Sequence, residues 1–244
     1  MIELHEVRKS FGQVEAVRRV TFGAADGSVT GLLGPNGAGK TTTLRMLSGL
    51  MRPDAGRITV DGVDVVAEPV GVQRVMGVLA DSRGLYPRLT AREHIRYFGE
   101  LRGLSRQVLQ QRTDWLIQRL GLEPLADRAV AGFSQGERTK VALARVLVHD
   151  PRNVVLDEPT NGLDIMSTRS VRDLVRGLRQ DGCCVVFSSH IMQEVSALCD
   201  RIVVIAQGAV VADGTPAMLR QQAGRADLEE AFIALAGLSE ANVR

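Results

Sequence analysis

The sequence has few cysteines, few aromatic residues and no long apolar run. Its three cysteines are an adjacent pair, Cys183 and Cys184, and a distant Cys199, a spacing that fits neither a disulfide framework nor a metal site. No apolar run approaches the roughly 20 residues that span a bilayer, and no apolar signal segment opens the chain. We therefore expect buried thiols in a reducing cytosol, and any membrane role would require a separate chain.

An excess of one charge is also lacking. The 244 residues include 30 basic and 28 acidic ones, interspersed, for a formal net charge of +2. No dense basic block with interleaved aromatic residues is present to follow a phosphate backbone, so nucleic-acid binding is unsupported. The length and apolar content predict one α/β domain with insertions.

The segment GPNGAGKT at 34–41 is the most informative part of the chain. Its glycines allow the backbone to curl until successive N–H groups point at phosphate oxygens. A strand pattern precedes the segment and a helix pattern follows it, which is the context that a phosphate-binding loop requires. The alternative is a glycine-rich turn with an incidental lysine. We predict a triphosphate site at Gly34, Pro35, Asn36, Gly37, Ala38, Gly39, Lys40, Thr41 and Thr42, with the Lys40 charge on the phosphates and the Thr41 hydroxyl on Mg²⁺.

The segment NVVLDE at 153–158 predicts a buried strand that ends in two carboxylates. A carboxylate at the C-terminal end of a strand beside the phosphate loop lies where ligands bind in such sheets. We therefore predict that Asp157 holds Mg²⁺ and that Glu158 faces the γ-phosphate, where it would polarise the attacking water. The alternative is a strand-ending pair of carboxylates that faces solvent.

Strand and helix patterns divide the rest of the chain. Strands are predicted near 2–7, 17–22, 57–60 and 75–79, around one helix that follows the phosphate loop. A helical insertion of about 88–150 comes next, because Thr90–Glu93 and Ser134–Glu137 have the pattern of a capping box at a helix start. Strands at 153–157, 183–187 and 201–206 then alternate with helices at about 167–180 and 191–198, which predicts a mostly parallel sheet.

The tail shows a helix start at Thr215-Pro216 and an amphipathic last helix. Leu228, Phe232 and Leu235 share one face of that helix, which we expect to pack on its own domain. The predicted organisation is therefore one domain of residues 1–215 and a short helical tail of residues 216–244.

Six elements in order make the chain resemble an ATP-binding cassette (ABC) ATPase over nearly its whole length. They are Phe11, GPNGAGKT, the signature-like FSQGE at 133–137, VVLDEP at 154–159, NGLD at 161–164 and Ser189-His190. The sequences of the segments at 84–93 and 148–164 resemble those of the cytosolic subunits of sodium-efflux (Nat-type) exporters. The resemblance implies an α/β P-loop NTPase (RecA-like) fold with a mostly parallel sheet core, an N-terminal antiparallel β subdomain and an α-helical insertion that carries the signature motif.

The resemblance also implies roles that the bare residues leave open. Phe11 would stack on adenine, although an aromatic there could simply cover the sheet edge. His190 would contact the γ-phosphate and act in catalysis with Lys40 and Glu158, whereas a lone histidine after a strand is more often structural. Asp164 would link two nucleotide sites across a dimer, or be a helix cap at a turn.

Two departures from the family pattern concern the Q-loop and the signature. Asp81 stands where the family has a glutamine that senses Mg²⁺, so its carboxylate would either strengthen the metal contact or alter coupling to the membrane subunit. In the signature, Gln135 replaces glycine and Glu137 replaces glutamine. Ser134 and Gly136, the pair that would meet the γ-phosphate of another subunit, are retained.

The function implied by the resemblance is ATP hydrolysis that drives transport. Two ATP molecules with Mg²⁺ would join a head-to-tail homodimer or heterodimer, which would power a separate polytopic membrane permease from the inner face of the cell membrane. We expect a cytoplasmic, peripheral protein of an exporter, with no nucleic-acid partner and an unspecified cargo. The alternatives are a soluble ABC ATPase on a ribosome or nucleic-acid complex and a P-loop kinase or GTPase.

Overall fold

Four strands near the N terminus pair antiparallel and form one end of the sheet. The computed structural model of the protein describes residues 1–80 and 84–237. Within it, β1 (Ile2–Phe11) pairs with β2 (Val14–Ala24) and with β4 (Ala55–Val60), which pairs in turn with the short β5 (Val63–Asp64). Ile2 and Leu4 alternate inward along β1, as expected for a strand with one buried face, and Val7 turns inward after an irregularity in the pairing with β2.

The opposite end of the sheet is parallel. Its strands lie in the order β9 (Arg201–Ala206), β3 (Ser28–Leu33), β8 (Cys184–Ser189), β7 (Asn153–Asp157) and β6 (Met76–Leu79). They are buried almost throughout, as strands covered on both faces must be. The structure therefore confirms the predicted fold class, with an antiparallel N-terminal part beside a parallel core.

The helices of the described chain cover the two faces of this sheet. They are α1 (Lys40–Leu47), α2 (Pro69–Val75), α3 (Ala91–Leu101), α4 (Arg106–Arg119), α5 (Gln135–Leu147), α6 (Ile165–Gln180), α7 (Met192–Leu198), α8 (Pro216–Ala223) and α9 (Leu228–Ala236). One apolar cluster joins α1 and α2 to the antiparallel strands and to residues of the parallel strands, and the other contains residues of the helices from α3 to α9. None of the helices in the described ranges is long and apolar enough to cross a membrane.

The capping boxes predicted at α3 and α5 are confirmed. The Thr90 hydroxyl accepts from the Glu93 N–H at 3.1 Å, and the Glu93 carboxylate accepts from the Thr90 N–H at 2.8 Å. Ser134 and Glu137 make the same reciprocal pair at 3.2 and 2.7 Å. Each box satisfies N–H groups that a helix start leaves without an intrahelical partner.

The largest differences from the sequence prediction are in α2 and β10. Val75 was expected to begin a strand but is the last residue of α2. This helix starts at Pro69 and is too short to show a clear apolar periodicity in the sequence. The strand β10 (Ala209–Gly214) was not predicted. It follows β9 after a two-residue turn at Gln207 and Gly208, whose positive φ angles of 49° and 79° suit a tight hairpin.

The strand β10 joins the two parts of the sheet. It pairs antiparallel with β9 and touches β2 through the single parallel register pair of Ala209 and Arg19. The Arg18 N–H also donates to the Gly208 carbonyl at 2.7 Å. These contacts place β2, which carries Ala16, next to the phosphate loop that follows β3.

The two tail helices pack on the parallel part of the sheet. Leu219 on α8 and Leu228 on α9 are buried in the cluster that also contains residues of β9 and β10, and Ala231 on α9 is fully buried. Phe232 and Leu235, predicted to share a face with Leu228, are partly buried against the same cluster.

Candidate functional site

The phosphate loop connects β3 to α1 and requires glycine at two close approaches. A Cβ atom on Gly34 would collide with the Ile205 carbonyl of β9. At Gly39 the backbone has a φ of 101°, and a Cβ atom would lie 2.5 Å from the Ala16 carbonyl of β2. The loop therefore packs directly on two strands, and larger residues at these positions would displace it.

A cavity of about 410 Å³ opens at this loop. It is lined by residues 36–42 together with Ala16, Glu158, Asn161 and His190. Because α1 begins at Lys40, its first N–H groups face the same region as the loop and favour an anion. A larger cavity of about 710 Å³ lies elsewhere, around Arg112 and Trp115, and none of the predicted site residues lines it.

The three residues predicted to be catalytic meet at this cavity. The Lys40 Nζ donates to the carbonyls of Gly34 and Pro35 at 2.7 and 3.2 Å and lies 3.5 Å from the Glu158 Oε1. The other oxygen, Oε2, is 2.9 Å from the His190 Nδ1. The Lys40 and Glu158 side chains are only 6% and 12% exposed, so their mutual attraction is weakly screened.

Asp157 is buried at the end of β7, beside the Glu158 position. Its Oδ1 accepts a hydrogen bond of 2.6 Å from the Ser188 hydroxyl, whose oxygen accepts from the Glu158 N–H at 2.9 Å. Glu158 itself has a φ of 46°, in the left-handed region that residues other than glycine rarely adopt. Ser188 thus fixes both carboxylate-bearing residues at once.

Sequence reasoning missed Ser188, which is the register partner of Asp157 on the neighbouring parallel strand. The signal was its place at the carboxyl end of β8, two residues before His190. Ala16 and Asn161 were also missed as lining residues, because both come from loops or strands that only the fold brings to the cavity.

The signature segment packs against the NGLD segment of the same chain rather than lining its cavity. The Gln135 Nε2 donates to the Asn161 carbonyl at 2.9 Å. A Cβ atom on Gly136 would collide with Ser167, whose N–H and hydroxyl donate to the Asp164 carboxylate at 2.9 and 2.6 Å. These bonds hold the pKa of Asp164 below its usual value, so Asp164 is an ionised cap of α6.

Phe11, another predicted residue, lies apart from this cluster. Phe11 ends β1 and is 48% exposed, with the Lys9 ammonium 5.8 Å from the centre of its ring. It is not among the described residues that line the cavity. Asp81 lies outside the described residues.

The fold and the site together define a P-loop nucleoside triphosphatase. Its features are a parallel sheet, a glycine loop before a helix, a buried lysine, and two carboxylates at the end of a neighbouring strand.

Comparison with known proteins gives the particular family. The family model described as ABC transporter matches residues 17–161. The chain is 45% identical over 221 residues to the ABC transporter ATP-binding protein NatA of Bacillus subtilis, covering 90% of both chains. It is 39% identical over 224 residues to the Nod factor export ATP-binding protein I of Burkholderia lata, covering 91% of this chain and 74% of that one. A solved structure of an ATP-binding subunit of an ABC transporter is 29% identical, with a TM-score of 0.89 over 96% of this chain and 99% of the other.

The chain therefore belongs to the ABC transporter family and is an ATP-binding, ATP-hydrolysing subunit of that family. The predicted resemblance, down to the Nat-type relatives, is confirmed.

Proposed function

We propose that the chain binds ATP with Mg²⁺ at its phosphate loop and hydrolyses it to drive export through a separate membrane permease. The observation that carries the proposal is the place of the Glu158 carboxylate between the Lys40 ammonium and the His190 ring. All three groups border the cavity at the loop. A γ-phosphate there would meet a cation, a base and an imidazole together.

The roles follow from this arrangement. The loop N–H groups and the first turn of α1 donate to phosphate oxygens, and Lys40 moves from the loop carbonyls to the β- and γ-phosphates. Glu158 polarises the attacking water, and His190 contacts the γ-phosphate. Catalysis is then mainly positioning and stabilisation of the charge that develops on phosphate.

Mg²⁺ fits the residues at the end of β7 only as part of a nucleotide complex. Asp157 offers a buried carboxylate oriented by Ser188, and Thr41 offers a hydroxyl at the start of α1. Within residues 1–80 and 84–237, no group of three or more His, Cys, Asp or Glu side chains could hold a metal ion. Phosphate oxygens and water would therefore supply the remaining oxygen ligands, and bound Mg²⁺ would neutralise phosphate charge. Asp81 is a further proposed contact.

The signature residues serve a second subunit in this proposal. Ser134 is exposed at the start of α5 and, with Gly136, would meet the γ-phosphate on the partner chain, while Asp164 would link the two sites. Phe11, exposed at the end of β1, would stack on adenine. The partner would be a second copy of this chain or a related chain.

The permease would dock near residues 81–89 and the helical insertion of about 88–150. Exposed Tyr86 and Tyr97 stack edge to face there, with ring centres 6.2 Å apart, and offer an aromatic surface to a partner. Export agrees with the name of the Burkholderia relative, and the place of action would be the cytoplasmic face of the cell membrane. The domain of residues 1–215 would carry ATP, with residues 216–244 as its packed tail.

The test is Glu158→Gln, measured as phosphate release and as ATP binding. The amide keeps the shape of the side chain but cannot polarise water, so turnover should fall about 100-fold or more while ATP binding persists. The exposed Glu229→Gln on α9 is the matched control and should turn over normally. Normal phosphate release from Glu158→Gln would contradict the proposed role of Glu158 in polarising the attacking water.

A further inference from the structure

The two loops that carry Glu158 and His190 have a second connection outside the cavity. Glu158 begins the loop after β7, and His190 begins the loop after β8. Behind both loops lies α7, which contributes a buried carboxylate, Glu194, only 3% exposed. Glu194 does not line the cavity at the phosphate loop.

One oxygen of Glu194 binds a hydroxyl from the first loop and another from the strand end that leads into the second. The Oε2 accepts from the Thr160 Oγ1 of the first loop and from the Ser189 Oγ at the end of β8, the latter at 3.3 Å. The Ser189 hydroxyl oxygen in turn accepts from the Ile191 N–H at 3.0 Å, just after His190. The other oxygen, Oε1, lies 4.0 Å from the Arg172 Nη2 on α6.

Because the Glu194 carboxylate is buried, it requires hydrogen-bond donors from the protein. A buried charge is strongly unfavourable unless hydrogen bonds and an opposite charge compensate it. Here the compensation comes from the Glu158 loop, from the end of β8 next to His190 and from α6, so moving the loop or the strand end away would leave the carboxylate short of a donor. Thr160 is 3% exposed and Ser189 is fully buried, so water cannot readily replace them.

We propose that Glu194 is a positioning residue that holds the Glu158 loop and the His190 loop at the separation catalysis requires. It acts through its hydrogen bonds from Thr160 and Ser189. In this way it maintains the 2.9 Å contact between Glu158 and His190 without lining the cavity itself. The inference rests on the proposed roles of these two residues in ATP hydrolysis.

The test separates ATP affinity from turnover in Glu194→Ala and Thr160→Val. The phosphate loop is untouched, so ATP affinity should stay within about threefold, whereas kcat should fall about tenfold or more because the two loops drift apart. Glu194→Gln and Thr160→Ser keep an acceptor and a hydroxyl, and each should restore most of the turnover. The double variant Glu194→Ala with Thr160→Val should be no slower than Glu194→Ala alone. Thr160→Val removes only the hydrogen bond to Glu194, and Glu194→Ala has already removed it.

A matched control removes a purely structural explanation. Leu219→Ala should open a cavity beneath α8, far along the chain from both loops, and lower Tm without removing any hydrogen bond of the network. Its turnover per folded molecule should equal that of the wild type. Equal kcat in Glu194→Ala, or a loss of ATP affinity as large as the loss of kcat, would overturn the proposal.

The outcomes also distinguish this inference from the proposed function. A wild-type chain without turnover, or a Glu158→Gln variant with normal turnover, counts against the proposed function itself. Turnover that requires Glu158 but survives both Glu194→Ala and Thr160→Val counts against the positioning role alone.

Discussion

At the scale of single residues, the site depends on hydroxyl groups that orient its charges. Ser188 is fully buried and makes one hydrogen bond to the Asp157 carboxylate and one from the Glu158 N–H. The second bond supports the left-handed backbone of Glu158, a conformation that persists only where surrounding structure enforces it. A single serine thus orients both the proposed metal ligand and the proposed base.

We expect Ser188→Ala to weaken the use of Mg²⁺ as well as turnover. Without its hydrogen bond, the Asp157 carboxylate is free to turn, so the Mg²⁺ concentration for half-maximal turnover should rise about tenfold, as is typical when a group behind a metal ligand is removed. ATPase rates measured across a Mg²⁺ titration provide the check.

The control for that experiment is Ser48→Ala. Ser48 is equally buried, but its hydroxyl donates to the Leu44 carbonyl within α1, at 2.7 Å. This variant should keep the wild-type Mg²⁺ dependence. An unchanged Mg²⁺ titration for Ser188→Ala would show that Asp157 needs no such support.

The sequence predicted residues whose chemistry is encoded locally and missed those defined by the fold. Lys40, Asp157 and Glu158 could be predicted because a glycine loop and a strand end each impose a recognisable pattern. Glu194 could not, because a glutamate in a short helix has no signature until its partners are known, and the position of Ser188 at the end of β8 did not reveal its bond to Asp157, 31 residues away.

At the scale of elements, two helices begin with the same capping box and differ in what lies beyond it. Ser134→Ala and Thr90→Ala each remove a side-chain acceptor at a helix start, so each should lower the free energy of unfolding by about 1 kcal/mol. Only Ser134 is proposed to meet the ATP of a second subunit. In a Glu158→Gln background, ATP should therefore fail to induce dimers of Ser134→Ala while still inducing dimers of Thr90→Ala.

Light scattering with and without ATP measures this difference, and urea unfolding measures the shared loss of stability. Dimers of Ser134→Ala that form as readily as those of Thr90→Ala would leave Ser134 with a capping role alone. Comparing Ser134→Ala with Thr90→Ala is informative because both variants should lose the same stability, whereas only Ser134→Ala should lose ATP-induced dimerisation.

Elements with capping or loop chemistry were predictable, and those set by pairing were not. The starts of α3 and α5 follow from side-chain patterns that act within one turn. The strand β10 depends on a hairpin to β9 whose turn, Gln207-Gly208, is not a common hairpin dipeptide. Its contact with β2 arises only when the antiparallel and parallel parts of the sheet assemble.

At the scale of the whole molecule, a histidine at the junction of the helical insertion and the sheet makes stability depend on pH. His149 follows α5, and its Nε2 lies 3.2 Å from the Met76 carbonyl at the start of β6. Burial, and then the nearby positive charge of Arg102, lower the pKa of His149 from 6.5 to about 4. Between these values the unfolded chain binds a proton that the folded chain does not, so stability falls as the pH falls from about 6.5 toward 4.

We expect His149→Gln to remove part of this acid sensitivity, because an amide can still donate to the Met76 carbonyl but does not titrate. Between pH 7 and pH 5 the wild type should lose about 1 kcal/mol more of its free energy of unfolding than the variant, allowing for the partial exposure of the ring. Burial also lowers the pKa of His94, so some sensitivity should remain. The exposed His5→Gln on β1 is the control, and urea unfolding at the two pH values is the measurement. Equal pH dependence in the wild type and His149→Gln would mean that the junction between the helical insertion and the sheet admits a charged imidazole.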